Sequence, residues 1–106
     1  MAVTKLSPTK LKFDEGVTLP AATTVGADGM DLDFSGKDYR ILIEVGGAAA
    51  TITAGNGLQG GGEPLTVAAG SAVVLNSGYY KYVSGAHKGC VHITGATATI
   101  KAVELP

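Results

Sequence analysis

Cys90 and His92 are the pair of side chains in this sequence whose types and spacing come nearest to chemistry. A thiol beside an imidazole can act as nucleophile and base, and the same pair is half of a zinc site. Nucleophilic catalysis needs the base within hydrogen-bond reach and a third group to orient it. Residues two apart on a strand share a face but stand roughly 6–7 Å apart along it, which is too far for direct proton transfer. His87 could join a metal site, but a fourth ligand is not evident. A buried or half-buried cysteine beside a surface histidine is therefore expected, with no catalytic residue and no metal ligand assigned.

Three other clusters invite a chemical reading. Asp28, Asp31 and Asp33 fall within six positions, and hard cations favour clustered carboxylates. The spacing does not fit a calcium-binding EF-hand loop, which needs Gly at its sixth position and a carboxylate at its twelfth. Met30, Leu32 and Phe34 alternate with Asp31 and Asp33, so a short strand with a solvated acidic face is expected. Gly55, Gly57 and Gly60 form G-x-G-x-x-G, yet Gly61, Gly62, Glu63 and Pro64 follow and cannot begin the helix that such a fingerprint needs to bind pyrophosphate. No cofactor is expected. Tyr79, Tyr80 and Tyr82 flank Lys81. Their rings suit a core poor in Phe and Trp or a protein interface, ahead of stacking on sugars or bases. No Ser-His-Asp order or HExxH motif is present, so the chain does not read as an enzyme.

The elements that would position these groups are short strands. In Tyr39–Val45, Ile41, Ile43 and Val45 alternate with Arg40, Leu42 and Glu44, the period of a half-buried strand. Ala48–Thr53, with Ile52 inward between Thr51 and Thr53, Tyr79–Val83 and Cys90–Thr94 repeat the pattern, and Ala96–Leu105 is a last strand on which the sheet would close. Leu65–Ala68 and Ala72–Leu75, joined by Ala69-Gly70-Ser71, read as a hairpin. The strand spacing predicts an all-β fold, a single β-sandwich or jelly-roll-like small barrel of roughly seven to eight strands. Residues 26–106 are assigned to this domain. Residues 1–25 read as an extended N-terminal arm with one or two edge pairings, because Pro8 and Pro20 oppose a helix or central strand.

Composition sets the outer limits. With 106 residues and 45% apolar content the chain makes one modest core. Sixteen Gly and no Trp indicate tight turns around an aliphatic interior. A formal net charge of −1 supplies no field for nucleic acid. One Cys permits no internal disulfide, MAVTKLSPTK lacks the apolar run of a secretory signal, and no apolar run is long enough to cross a bilayer. A soluble protein made in the cytoplasm, with no membrane partner, is expected.

From Lys37 onward, KDYRILIEV, TITAGNGLQG, LTVAAG, SGYYKYVSG, HKGCVHITG and IKAVELP together resemble small proteins of tailed bacteriophages and prophages interpreted as head decoration, or cement, proteins. The likeness covers about two thirds of the chain. It implies a protein of the outer capsid surface that binds the major capsid protein after shell assembly, often as a homotrimer. On that reading the arm makes the capsid contact through Thr4, Lys5, Leu6, Pro8, Lys10, Leu11, Lys12 and Phe13, with Leu6 and Phe13 as apolar anchors. Deleting the arm through Phe13 would then leave the domain folded. Alternatives are a carbohydrate- or host-surface-binding module using the Tyr79, Tyr80 and Tyr82 face, or another virion part such as a neck or tail component.

Overall fold

The alternating pattern of Ile41–Val45 does become a half-buried strand. The computed structural model describes residues 3–33, 40–55, 63–75 and 80–105. Within them ten strands are formed and no helix: β1 (Thr4–Leu6), β2 (Thr9–Lys10), β3 (Thr23–Thr24), β4 (Met30–Asp33), β5 (Ile41–Gly46), β6 (Ala50–Ile52), β7 (Leu65–Val67), β8 (Ala72–Leu75), β9 (Cys90–Thr94) and β10 (Thr99–Glu104). Ile41, Ile43 and Val45 of β5 are buried while Glu44 is exposed. The motif glycines Gly57 and Gly60, together with Phe34, Tyr39 and Tyr79, lie outside the described residues.

Two sheets form an all-β sandwich. One has the order β1-β4-β9-β6-β7, and the other β2-β10-β5-β8 with β3 also pairing β10. Their inward positions supply one aliphatic core: Met30, Leu32, Ile52, Val91 and Ile93 from the first sheet meet Ile41, Ile43, Leu75 and Ile100 from the second. Fully burying each such side chain is worth about 1.5–3 kcal/mol. The residues between them in β5 and β9 therefore face outward.

The seven strands from β4 onward match the number expected, and the additional three all come from the N-terminal segment. That segment pairs at sheet edges, as expected of it, with three such pairings where one or two were anticipated. β1 adds in parallel to the edge of the first sheet, Thr4 opposite Met30. β2 adds in parallel to β10 of the second, Thr9 opposite Val103. Pro8 stands at the crossing between the two sheets, where a missing N–H costs no ladder bond. β3 then returns antiparallel along β10. The radius of gyration, 12.9 Å, is that of a compact chain of this length and leaves no room for a projecting 25-residue arm.

Two further expectations are corrected. Leu65–Ala68 and Ala72–Leu75 are not a hairpin: β7 pairs β6 in the first sheet and β8 pairs β5 in the second. The turn between them docks on the end of β5, where Gly70 N–H donates to Val45 O (2.8 Å) and Val45 N–H donates to Ser71 O (2.9 Å). The chain thus turns a corner between sheets. The segment around Tyr80–Val83 is also not a strand. It makes a single antiparallel bridge, Lys81 to Val91.

Candidate functional site

The outer face of the β4–β9 pair holds the polar cluster. The register sets Asp31 opposite His92 and Asp33 opposite Cys90. Met30, Leu32, Val91 and Ile93 take the inward positions, so the four polar side chains are directed away from the core. β1 brings Lys5 opposite Asp31 from one side. From the other, Thr53 N–H donates to His92 O (3.0 Å). The chain from Tyr82 to Gly89 then folds back over this face, held by Tyr82 N–H to Cys90 O (2.9 Å) and Gly89 N–H to Tyr82 O (2.8 Å).

That turn carries His87 onto Asp31. His92 Nδ1 lies 2.8 Å from Asp31 Oδ1. His87 Nδ1 lies 2.8 Å from the same oxygen and 3.0 Å from Oδ2. With its proton on Nδ1, each imidazole donates to the one carboxylate. The two rings stack with centroids 4.0 Å apart and 28° between planes, and the Tyr82 ring meets His87 edge-on at 5.3 Å. Thr53 Oγ1 donates to His92 O (3.1 Å), which leaves Tyr82 O–H to donate to Thr53 Oγ1 (3.1 Å). Among the described residues, no buried side-chain nitrogen or oxygen lacks a partner.

Asp31 is only 2% exposed, so the solvated acidic face expected for β4 is overturned at this position. Its neighbours explain how a carboxylate survives there. Burial alone would raise its pKa, but hydrogen bonds from His87 and His92, with the charge those rings can carry, reverse the effect and hold it below its ordinary value. Lys5 Nζ stands farther off, 3.9 Å from Oδ2, at the tip of a side chain that is 73% exposed. The Cys90 thiol is pushed up, first by burial and then by the charges of Asp31 and Asp33, with Lys5 opposing. A thiol so placed stays protonated and is a poor nucleophile. His92 therefore pairs with Asp31 and His87.

Two glycines are fixed by close approach around this site. A Cβ on Gly29 would sit 2.7 Å from His92 Cε1 and 2.8 Å from Nε2, and its φ of +85° already favours glycine. A Cβ on Gly55 would lie 2.3 Å from Lys81 O. The first glycine of G-x-G-x-x-G is thus needed so that the chain can pass the Tyr80–Lys81 backbone, a structural reason unrelated to phosphate.

The other anticipated contact residues separate into two groups. Leu6 and Tyr80 are partly buried and pack against this chain's own core. Thr4 N–H donates to Gly29 O (3.1 Å) and Leu11 N–H to Glu104 O (2.9 Å). Pro8 is half-buried, and Lys12 lies 4.0 Å from Glu15. Lys10 and Phe13 face solvent, Phe13 being 79% exposed at a turn in which Asp14 takes φ +55°. Tyr82 is engaged by Thr53 and His87. A cleft lined by Ala22, Glu44, Val45, Gly46, Thr99 and Lys101 holds about 180 Å³, below the roughly 300 Å³ at which small-molecule sites begin.

Fold and site together define a small two-sheet β protein with a buried carboxylate gripped by two histidines. Comparison with protein-family models, curated proteins and solved structures finds no match.

Proposed function

We propose that this chain is a surface-covering structural protein of a tailed-phage virion, a head decoration protein that binds the outer face of the assembled shell and bridges major capsid subunits, as a homotrimer. The reading takes the protein to act through buried area and avidity, without catalysis. The observation that carries it is the stretch of residues 11–22 that links β2 to β3, both paired with β10. It displays Phe13 and Leu19, 79% and 65% exposed, to solvent. Neither ring nor isobutyl group contributes to the core, and large apolar side chains exposed on one excursion suit a partner surface. Val74, on the outward side of the edge strand β8, adds a further exposed aliphatic group. The blocks resembling decoration proteins support the same reading from the sequence.

The test mixes purified protein with empty, expanded heads of the phage that encodes it and measures co-sedimentation, with imaging of the bound sites. Wild type is expected to decorate the heads. Phe13→Ser with Leu19→Ser should keep the same thermal midpoint and bind at least ~10-fold more weakly, because losing one buried aromatic contact costs more than ~1.4 kcal/mol. Undiminished binding by the double variant would remove the contact assignment. Failure of wild type to bind any head would remove the function.

A further inference from the structure

We propose that Asp31, His87 and His92 bind one first-row transition-metal dication of the Zn²⁺ type, which clasps the 82–89 turn onto the outer face of the β4–β9 pair. One ligating atom from each residue lies within 4.8 Å of the other two. Two imidazoles with one carboxylate form a borderline nitrogen–oxygen set. It suits Zn²⁺, Co²⁺ or Ni²⁺, whereas Ca²⁺ and Mg²⁺ prefer oxygen throughout.

The geometry is close to what such an ion requires. Bonds of about 2.0–2.1 Å in a tetrahedron hold the ligand atoms roughly 3.4 Å apart. Both Nδ1 atoms now stand 2.8 Å from Asp31 Oδ1, so admitting the ion takes a retreat of about half an ångström and the shift of each ring to the tautomer with its proton on Nε2, which frees the Nδ1 lone pair for the metal. His92 is held by the β4–β9 register, by the Thr53 bond to its carbonyl and by Gly29 against its Cε1–Nε2 edge. His87 rides on a surface turn and is 27% exposed, so the adjustment falls to it. Its exposed side also leaves room for water to complete the coordination.

Charge argues the same way. A carboxylate that is 2% exposed needs compensation. Among the described residues, the permanently charged cation paired with it is Lys5, 3.9 Å away on a solvent-exposed stem. A dication would replace that distant charge with a direct bond, and Lys5 would swing outward. Tying residue 31 to residue 87 closes a loop of 56 residues, so the clasp would restrict a large part of the unfolded chain. Cys90 lies outside the group of three despite sharing the strand face of His92.

The experiment titrates the chelator-stripped full chain with ZnCl₂ and CoCl₂. The expected result is one equivalent per chain, a visible d–d spectrum for Co²⁺ that Zn²⁺ abolishes, and perturbed imidazole NMR signals of both His87 and His92. The thermal midpoint should rise by about 10 °C at 100-fold excess over Kd. His87→Gln should weaken binding at least ~10–100-fold, the loss that outer-shell changes alone produce, and Lys5→Met should tighten it. Absence of the Co²⁺ spectrum and of any midpoint shift in wild type would overturn the proposal, as would unchanged affinity in His87→Gln. The wild-type NMR measurement decides the matter without any variant, and none of these outcomes bears on capsid binding.

Discussion

Asp31 shows how a residue's chemistry is set by partners far away in the chain. By type and position it reads as one more outward carboxylate on an alternating strand. It is buried because His87 and His92 come from 56 and 61 residues away, and no local pattern announces a partner at that distance. His92 and Cys90 could be seen to share a face from their spacing alone, while the identity of the third group could not. The consequence is measurable. Replacing Asp31 with Ala strands two imidazole donors and should cost about 2–4 kcal/mol in urea unfolding. The sign of the pH dependence follows from the lowered carboxyl pKa. Its stabilisation is full above the unfolded value of about 3.9 and fades as pH falls through the folded value. The groups facing it are Lys5, His87 and His92. With a chelator present, the stability gap between wild type and Asp31→Asn should therefore shrink below about pH 4. A gap that stays constant on acidification would mean that the carboxylate is not held by these rings.

At the scale of elements, what could be read was whatever a single strand reveals by its own period. β9 coincides with the expected Cys90–Thr94, β6 and β10 lie inside expected strands, and β5 runs one residue past Val45 into Gly46, with Ile43, Ile52, Val91 and Ile93 inward as their alternation requires. What could not be read was which neighbour each strand would choose. Ala69-Gly70-Ser71 announces a turn, but a hairpin and a corner between sheets use the same turn residues; Val45, 25 positions earlier than Gly70, decides between them. The N-terminal segment is the larger case. Leu6, Pro8 and Pro20 pointed to an extended segment with edge pairings, but not to its partners: Leu6 packs against the core and β1 and β2 flank β4 and β10. Removing residues 1–10 would strip one strand from each sheet and expose the paired edges of β4 and β10. The truncated chain should melt at a lower temperature and elute from size exclusion as larger species. Leu6→Ala in the full chain should cost about 1–2 kcal/mol, against less than about 0.5 kcal/mol for Lys10→Ala. A monomeric truncation with an unchanged midpoint would mean that these edge strands add nothing to the stability of the sheets.

Across the whole molecule, the order of pairing inverts the order of the sequence. β10 joins β5 along six residues and also takes β2 and β3 on its other side, so the last strand is the one that unites the second sheet. β9, also late, stands between β4 and β6 in the first. The N-terminal strands thus wait for partners that lie about 25 to 95 positions further on. Non-local pairing of this kind places folding in the slow range, about milliseconds to seconds. It also makes the sandwich an all-or-none structure: without β10, Ile41, Ile43 and Val45 lose Ile100 and Ala102 as neighbours across the ladder, and β2 and β3 lose their sole described pairing. A chain ending before Thr99 should accordingly show no cooperative thermal transition and poor amide dispersion by NMR. A well-dispersed spectrum from that fragment would show instead that the first sheet folds by itself and that the second is assembled on it.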